Sequence, residues 1–222
     1  MQYLFPSRSG KIKSFCFLLS LYVFSGLAQP DRFPKLEYKE SGQAIYLDSL
    51  GKPIGNLVFD GGQPFRDGLA IVYKSSENGN QTGVINSKGK LVVPFGLNYI
   101  QNAGKGFAIV AFETTQELYN QNGQMIYTCK KCAINSHADV NLFSVHPNPF
   151  MYRQGEKVPD SVMVFDNKGK EVFRKYGGSI ERIIDKNLIG EKRSNLPFFY
   201  TNNGCIYNLS GKLMLDSLHG IH

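Results

Sequence analysis

The sequence predicts an all-β fold of tandem antiparallel β-hairpin repeats, and three observations carry that prediction. A six-residue turn signature recurs five times along the 222 residues. The stretches beside each copy are short and β-prone, in a chain that holds 16 Phe, 12 Tyr and 23 Gly. No segment sustains the apolar spacing of a helix beyond a turn or two. With 42% hydrophobic residues the chain can bury a core, and its aromatic content excludes a disordered tail. Neither a glycine triplet nor a heptad is sustained, which excludes collagen and coiled coil.

From the N-terminus, residues 1–28 read as a secretory signal. Arg8, Lys11 and Lys13 precede an apolar run of 14 residues, Ser14 to Leu27, too short to span a bilayer. Gly26 and Ala28 are small residues at the spacing a signal peptidase accepts, so the cut is expected between Ala28 and Gln29. The mature chain, 29–222, is then one domain of about five repeats with no transmembrane helix, exported to the periplasm, the cell surface or the medium. Losing the three basic residues takes the formal charge from +7 to +4. The remaining basic clusters, Lys168 to Lys175 and Arg182 to Arg193, are interleaved with acids such as Asp166, Glu171 and Glu181. They read as a solvated face, and no nucleic-acid partner is expected.

The repeated signature is an apolar residue, Asp or Asn, two free positions, Gly, then Lys or Gln. Its cap and glycine are Asp48 and Gly51, Asn86 and Gly89, Asn120 and Gly123, Asp166 and Gly169, Asn208 and Gly211. Hairpin turns are therefore expected near 48–52, 86–90, 120–124, 166–170 and 208–212. The glycines are 38, 34, 46 and 42 residues apart. The spacing has a chemical cause. The cap side chain accepts a hydrogen bond from the backbone two residues on, and glycine supplies the left-handed conformation that closes the turn with a bulge.

A second element precedes the hairpin. Asp67-Gly68-Leu69-Ala70-Ile71-Val72 matches Lys105-Gly106-Phe107-Ala108-Ile109-Val110, 38 residues on. Asp185 to Lys192 reads as a degenerate copy, and a weak one lies near Val140 to Val145. Each unit thus reads as strand, loop, strand, tight turn, strand. Such a unit cannot bury both faces alone, so neighbours must stack, in an open or curved array or, as the alternative, a small β-propeller. Ser179 to Lys186 has a helical spacing, which the repeat converts to strand and turn.

Cys129 and Cys132 form CKKC, expected as a local disulfide in the loop after the third hairpin. A redox pair lacks its βα context, haem attachment lacks a following His, and zinc would have to use Cys129, Cys132, His137 and His146 at a spacing that matches no standard pattern. Cys205 reads as a buried small hydrophobe in a strand. No nucleophile elbow, HExxH helix or phosphate loop is present, so no catalytic or metal residue and no cofactor is assigned.

Residues Phe65 to Pro94, FRDGLAIVYKSSENGNQTGVINSKGKLVVP, resemble a WG-repeat: a Gly-Leu-Ala strand, a Trp-Gly position and an Asp-x-x-Gly-Lys hairpin. Gly104 to Ile126 resembles it less closely. The chain has no Trp. Aligned on the hairpin glycine, the Trp-Gly positions hold Ala44-Ile45, Thr82-Gly83, Gln116-Glu117, Val162-Met163 and Gly204-Cys205, and only Gly83 keeps the glycine. The resemblance implies β-hairpin repeats that serve interaction rather than catalysis. The expected function is therefore a non-enzymatic exported repeat protein that binds a partner protein or an envelope polymer such as a glycan. The alternative is a secreted hydrolase or a thiol- or metal-dependent enzyme with a loop site near 129–146.

Overall fold

The stretches Leu69-Ala70-Ile71-Val72, Phe107-Ala108-Ile109-Val110 and Val162-Met163-Val164-Phe165 are apolar at every position. A strand of that composition must be covered on both faces. The computed structural model describes residues 34–176, 180–184, 195–201 and 204–215, all within the compact unit Arg32–His222. The expected signal, its cut at Ala28 and Gln29, and the degenerate element at 185–192 lie outside the described residues.

The described chain is almost entirely antiparallel β. A first hairpin pairs β1 (Lys35–Tyr38) with β2 (Ala44–Leu47). Four up-and-down sheets of four strands follow. The first holds β3 (Gly61–Gly62), β4 (Leu69–Ser76), β5 (Gly79–Asn86) and β6 (Leu91–Gly96). The second holds β7 (Tyr99–Gly104), β8 (Phe107–Ala111), β9 (Thr115–Asn120) and β10 (Met125–Lys130). The third holds β11 (Cys132–His137), β12 (Leu142–Pro147), β13 (Ser161–Asp166) and β14 (Glu171–Tyr176). The last holds β15 (Ile180–Ile184), β16 (Asn195–Thr201), β17 (Ile206–Asn208) and β18 (Leu213–Leu215). The described helix is confined to two 3-10 turns, Ala138–Val140 and Pro149–Met151.

Period-two side-chain geometry assigns the apolar runs to successive cores. Ala70, Val72 and Ile85 face back onto Ala44, Tyr46 and Phe59 of the first hairpin region. Leu69, Ile71 and Val84 face forward onto Ile100, Ala108 and Val110. Phe107, Ile109 and Leu118 meet Ile134, Phe143, Met163 and Phe165. Leu142, Val162 and Val164 meet Ile180, Phe199, Cys205 and Tyr207. Each four-stranded sheet therefore packs face to face with its neighbour in chain order. In the sheets that lie between two others, the central strands are buried on both sides.

Three expectations are corrected. The unit is one strand larger than the three-strand reading, because β3, β7, β11 and β15 lead their sheets. These leaders carry weak strand signals: β3 is a Gly-Gly pair, and β7 and β11 read YIQNAG and CAINSH. Pairing with the apolar second strand makes them strands, an influence invisible in their own residues. Cys129 and Cys132 are also not in a loop. They lie in β10 and β11, with Lys131 as the only residue between the strands. Cys205 precedes β17 rather than lying inside a strand, and it is buried. Ser179 to Lys186, where described, is strand β15.

Candidate functional site

The turns define one class of candidate residue. The glycines at 51, 89, 123, 169 and 211 have φ of 73, 74, 82, 82 and 82°. In each turn the glycine N–H donates to the carbonyl of the cap residue, and the cap N–H donates to the carbonyl of the residue after the glycine. One oxygen of each cap side chain accepts two backbone N–H groups. Asp48 takes Leu50 and Lys52, and Asn86 takes Lys88 and Lys90. Asn120 takes Asn122 and Gln124, Asp166 takes Lys168 and Lys170, and Asn208 takes Ser210 and Lys212. The caps are engaged inside their own turns, a structural task. Thr201 and Gly204 close the β16–β17 connection in the same way, with the Cys205 N–H on the Thr201 hydroxyl. Threonine at the cap and cysteine after the glycine hid that turn from the signature.

The turns also touch across units. A Cβ on Gly89 would lie 2.7 Å from the Ile54 carbonyl oxygen, one on Gly123 3.1 Å from that of Val92, and one on Gly169 2.6 Å from that of Ile126. The Asn86 amide donates to the Gln121 carbonyl in the next turn at 3.1 Å. Glycine at these positions thus permits close stacking as well as the bend.

A second cluster sits between the third and fourth sheets. The Ser144 hydroxyl, fully buried, lies 3.0 Å from His137 Nε2 and 2.8 Å from His146 Nε2. A hydroxyl has one proton, so it donates to one ring and accepts from the other. Burial lowers the His146 pKa, and the charge of Glu181 opposes that shift. The His137 ring packs edge-on against Phe199. The four residues weighed for zinc are thus divided: the cysteine sulfurs are bonded to each other, and the histidines converge on Ser144. Among the described residues no group of three or more His, Cys, Asp or Glu is placed to hold a metal ion.

The third feature is a cleft at the junction of β10 and β11, walled by both cysteines, Lys130, Lys131, Tyr152 and Arg174. Cys129 and Cys132 are joined by a disulfide with Cα atoms 6.0 Å apart. The outer wall comes from the connection between β12 and β13, residues 148–160. The corresponding connections in the two preceding sheets are residues 77–78 and 112–114. This insertion accounts for the long 46-residue interval between turn glycines. It is tied down at several points. Lys131 pairs with Glu156 and lies 5.0 Å from the centre of the Tyr152 ring, and the Asn148 side chain accepts from the Phe150 N–H. The Lys131 ammonium holds the Glu156 carboxyl below its usual range. On the opposite wall Arg174 pairs with Glu171 at 2.7 Å and donates to the Met163 sulfur at 3.2 Å. In the 3-10 turn that opens the insertion, Phe150 is 97% exposed. Sequence reasoning missed this wall, whose only local signal is the prolines at 147, 149 and 159.

The WG containing repeat family model matches residues 83–112. The match begins at Gly83, where a Cβ would meet the Val93 carbonyl at 3.1 Å and the Phe95 ring at 3.2 Å. No curated protein matches the chain. Among solved structures, the chain is similar to Kluyvelomyces marxianus Hsv2, at 9% identity and a TM-score of 0.35, over 83% of this chain and 66% of that one. It is also similar to a protein of unknown function from Bacteroides caccae, at 17% identity and a TM-score of 0.25, over 76% and 64%. The chain therefore spans just under two thirds of the length of each. The family match is confined to residues 83–112, and the described chain around it is a series of four-stranded antiparallel β units.

Proposed function

We propose that this is an exported, non-enzymatic repeat protein that binds a partner protein or an envelope polymer at the cleft beside the 148–160 insertion. The observation that supports this reading most is Phe150. An aromatic side chain that is 97% exposed, on a loop anchored through Asn148, Tyr152 and Glu156, gains nothing for the fold. It is the kind of rigid apolar anchor that carries binding energy at an interface. Beside it the cleft offers two tyrosines and three cations, a surface that suits a polar or acidic partner. The sheet faces are used for stacking, which leaves turns, edges and insertions as the available binding surface.

The test is recovery of partners from the native envelope with the purified chain as bait. The Phe150→Ala and Arg174→Ala variants are expected to lose the specific partner while keeping the wild-type melting profile. Unchanged recovery by both variants would place the binding surface elsewhere. Export is tested separately, by N-terminal sequencing of the protein from its natural source, with Gln29 expected as the first residue.

A further inference from the structure

The cleft wall contains a covalent feature that non-covalent binding does not use. The Cys129–Cys132 disulfide has a sequence separation of 3, and closing so short a loop restricts the unfolded chain little. The backbone holds the two cysteines in place without it. The Lys131 N–H donates to the Thr114 carbonyl at 2.7 Å, and the Lys131 carbonyl accepts from the Asn148 N–H at 2.9 Å. The strand ends are therefore fixed from both sides by neighbouring segments. The two sulfurs are not equivalent either. Cys132 is 5% exposed and Cys129 is half-buried, and both border the cleft. Lys130, Lys131 and Arg174 also line the cleft, and no acidic residue does. Glu156 and Glu171 offset the second and third of these cations from outside the wall, and Lys130 adds to the positive field.

A half-buried cysteine at the edge of a cleft, bonded to a buried one among cations that favour a departing thiolate, is an arrangement suited to thiol–disulfide exchange. We propose that Cys129 is an exchange site at which a cysteine-bearing partner protein is captured covalently in the cleft. This inference rests on the binding reading above and names the chemistry of the partner. The partner thiol loses its proton, and its thiolate electron pair forms a bond to Cys129 Sγ. The Cys129–Cys132 bond breaks, and its electron pair leaves on Cys132, which then takes up a proton. The products are a mixed disulfide at Cys129 and a thiol at Cys132. The three sulfurs keep their total oxidation state, so no oxidant or reductant is consumed.

Reduced glutathione is the probe. The folded protein is exposed to it, quenched with acid, alkylated and peptide-mapped. The expected result is glutathione on Cys129 and alkylation of Cys132, favoured about tenfold over the reverse pattern. Equal labelling, preferential labelling of Cys132, or a disulfide that does not exchange in the folded protein would each overturn the proposal. A second arm separates a protein partner from small thiols. Cys132→Ser carrying glutathione in a mixed disulfide on Cys129 is expected, in the native envelope, to exchange that cap for a partner thiol, releasing glutathione and leaving a reductant-sensitive, protein-sized adduct; Cys129→Ser carrying the cap on Cys132 is expected not to. Small-thiol adducts alone would overturn the protein commitment. The Cys129→Ser/Cys132→Ser double variant, checked by its melting curve, separates the two readings. If it recovers the full set of partners, and no protein adduct forms on Cys132→Ser, covalent capture fails and the binding reading stands.

Discussion

The carbonyl oxygen of Ile126 lies 2.6 Å from where a Cβ on Gly169 would be. The fourth turn therefore rests directly on the strand leaving the third. Gly89 and Gly123 have the same relationship to Ile54 and Val92. Gly51, in the first of the five signature turns, has the same left-handed backbone but nothing within 4 Å of its Cβ position.

This contrast separates bending from stacking. Gly51→Ala carries only the left-handed penalty and should cost about 1 kcal/mol. Gly169→Ala adds a clash with backbone and should cost about 2–4 kcal/mol. Denaturant midpoints measure both, and equal losses would show that the inter-turn contact carries no energy.

The caps allow a second separation. Asp166 accepts from the N–H groups of Lys168 and Lys170 at 2.9 Å each, and Asn86 does the same with its amide oxygen. Asp166→Asn should change stability by less than about 0.5 kcal/mol, whereas Asp166→Ala leaves two turn donors without a side-chain acceptor and should cost about 1–2 kcal/mol. A large loss in the Asn variant would mean that charge, rather than acceptor geometry, matters at this position.

The buried His146 predicts a pH dependence. Its imidazole is harder to protonate folded than unfolded, because burial disfavours the cation. As pH falls through about 6.5 the unfolded chain takes up a proton that the folded chain does not, so stability declines on the acid side of neutrality. The decline levels off below the folded pKa. Comparing denaturant midpoints at pH 7.5 and pH 5.5, His146→Gln should lose part of the wild-type decline. An undiminished decline would assign it to other groups.

Phe165 is fully buried, stacked 4.4 Å from Tyr127 and 5.5 Å from Phe143 between ring centres. It joins the second and third four-stranded sheets. Phe165→Ala should cost about 3–5 kcal/mol and shift the unfolding of both sheets together. Hydrogen exchange that changed in the third sheet alone would show that the sheets unfold independently.

The hairpin repeat was legible because its chemistry is local. A cap oxygen, a glycine three residues on and β-prone flanks fit within a few positions, and nothing distant is needed to read them. The leading strands were not legible, since YIQNAG and CAINSH become strands only beside apolar partners. The His137–Ser144–His146 cluster depends on the β11–β12 register, which pairs Asn135 with Ser144 and Ala133 with His146. No spacing rule joins positions 137, 144 and 146. CKKC marked one wall of the cleft in the sequence. Arg174 comes from β14 and Tyr152 from the 148–160 connection, and only folding brings them beside it.

The 148–160 connection also bears on how such a chain can acquire new roles. Adjacent modules meet through closely packed apolar side chains and, at the turns, through glycines against main-chain carbonyls, so that seam tolerates little change. The crossover away from the seam can lengthen without disturbing it. Novelty in this architecture accumulates where a spacer between two ribbons has grown, and the widest gap between successive signatures is the first place to look for specificity in related chains.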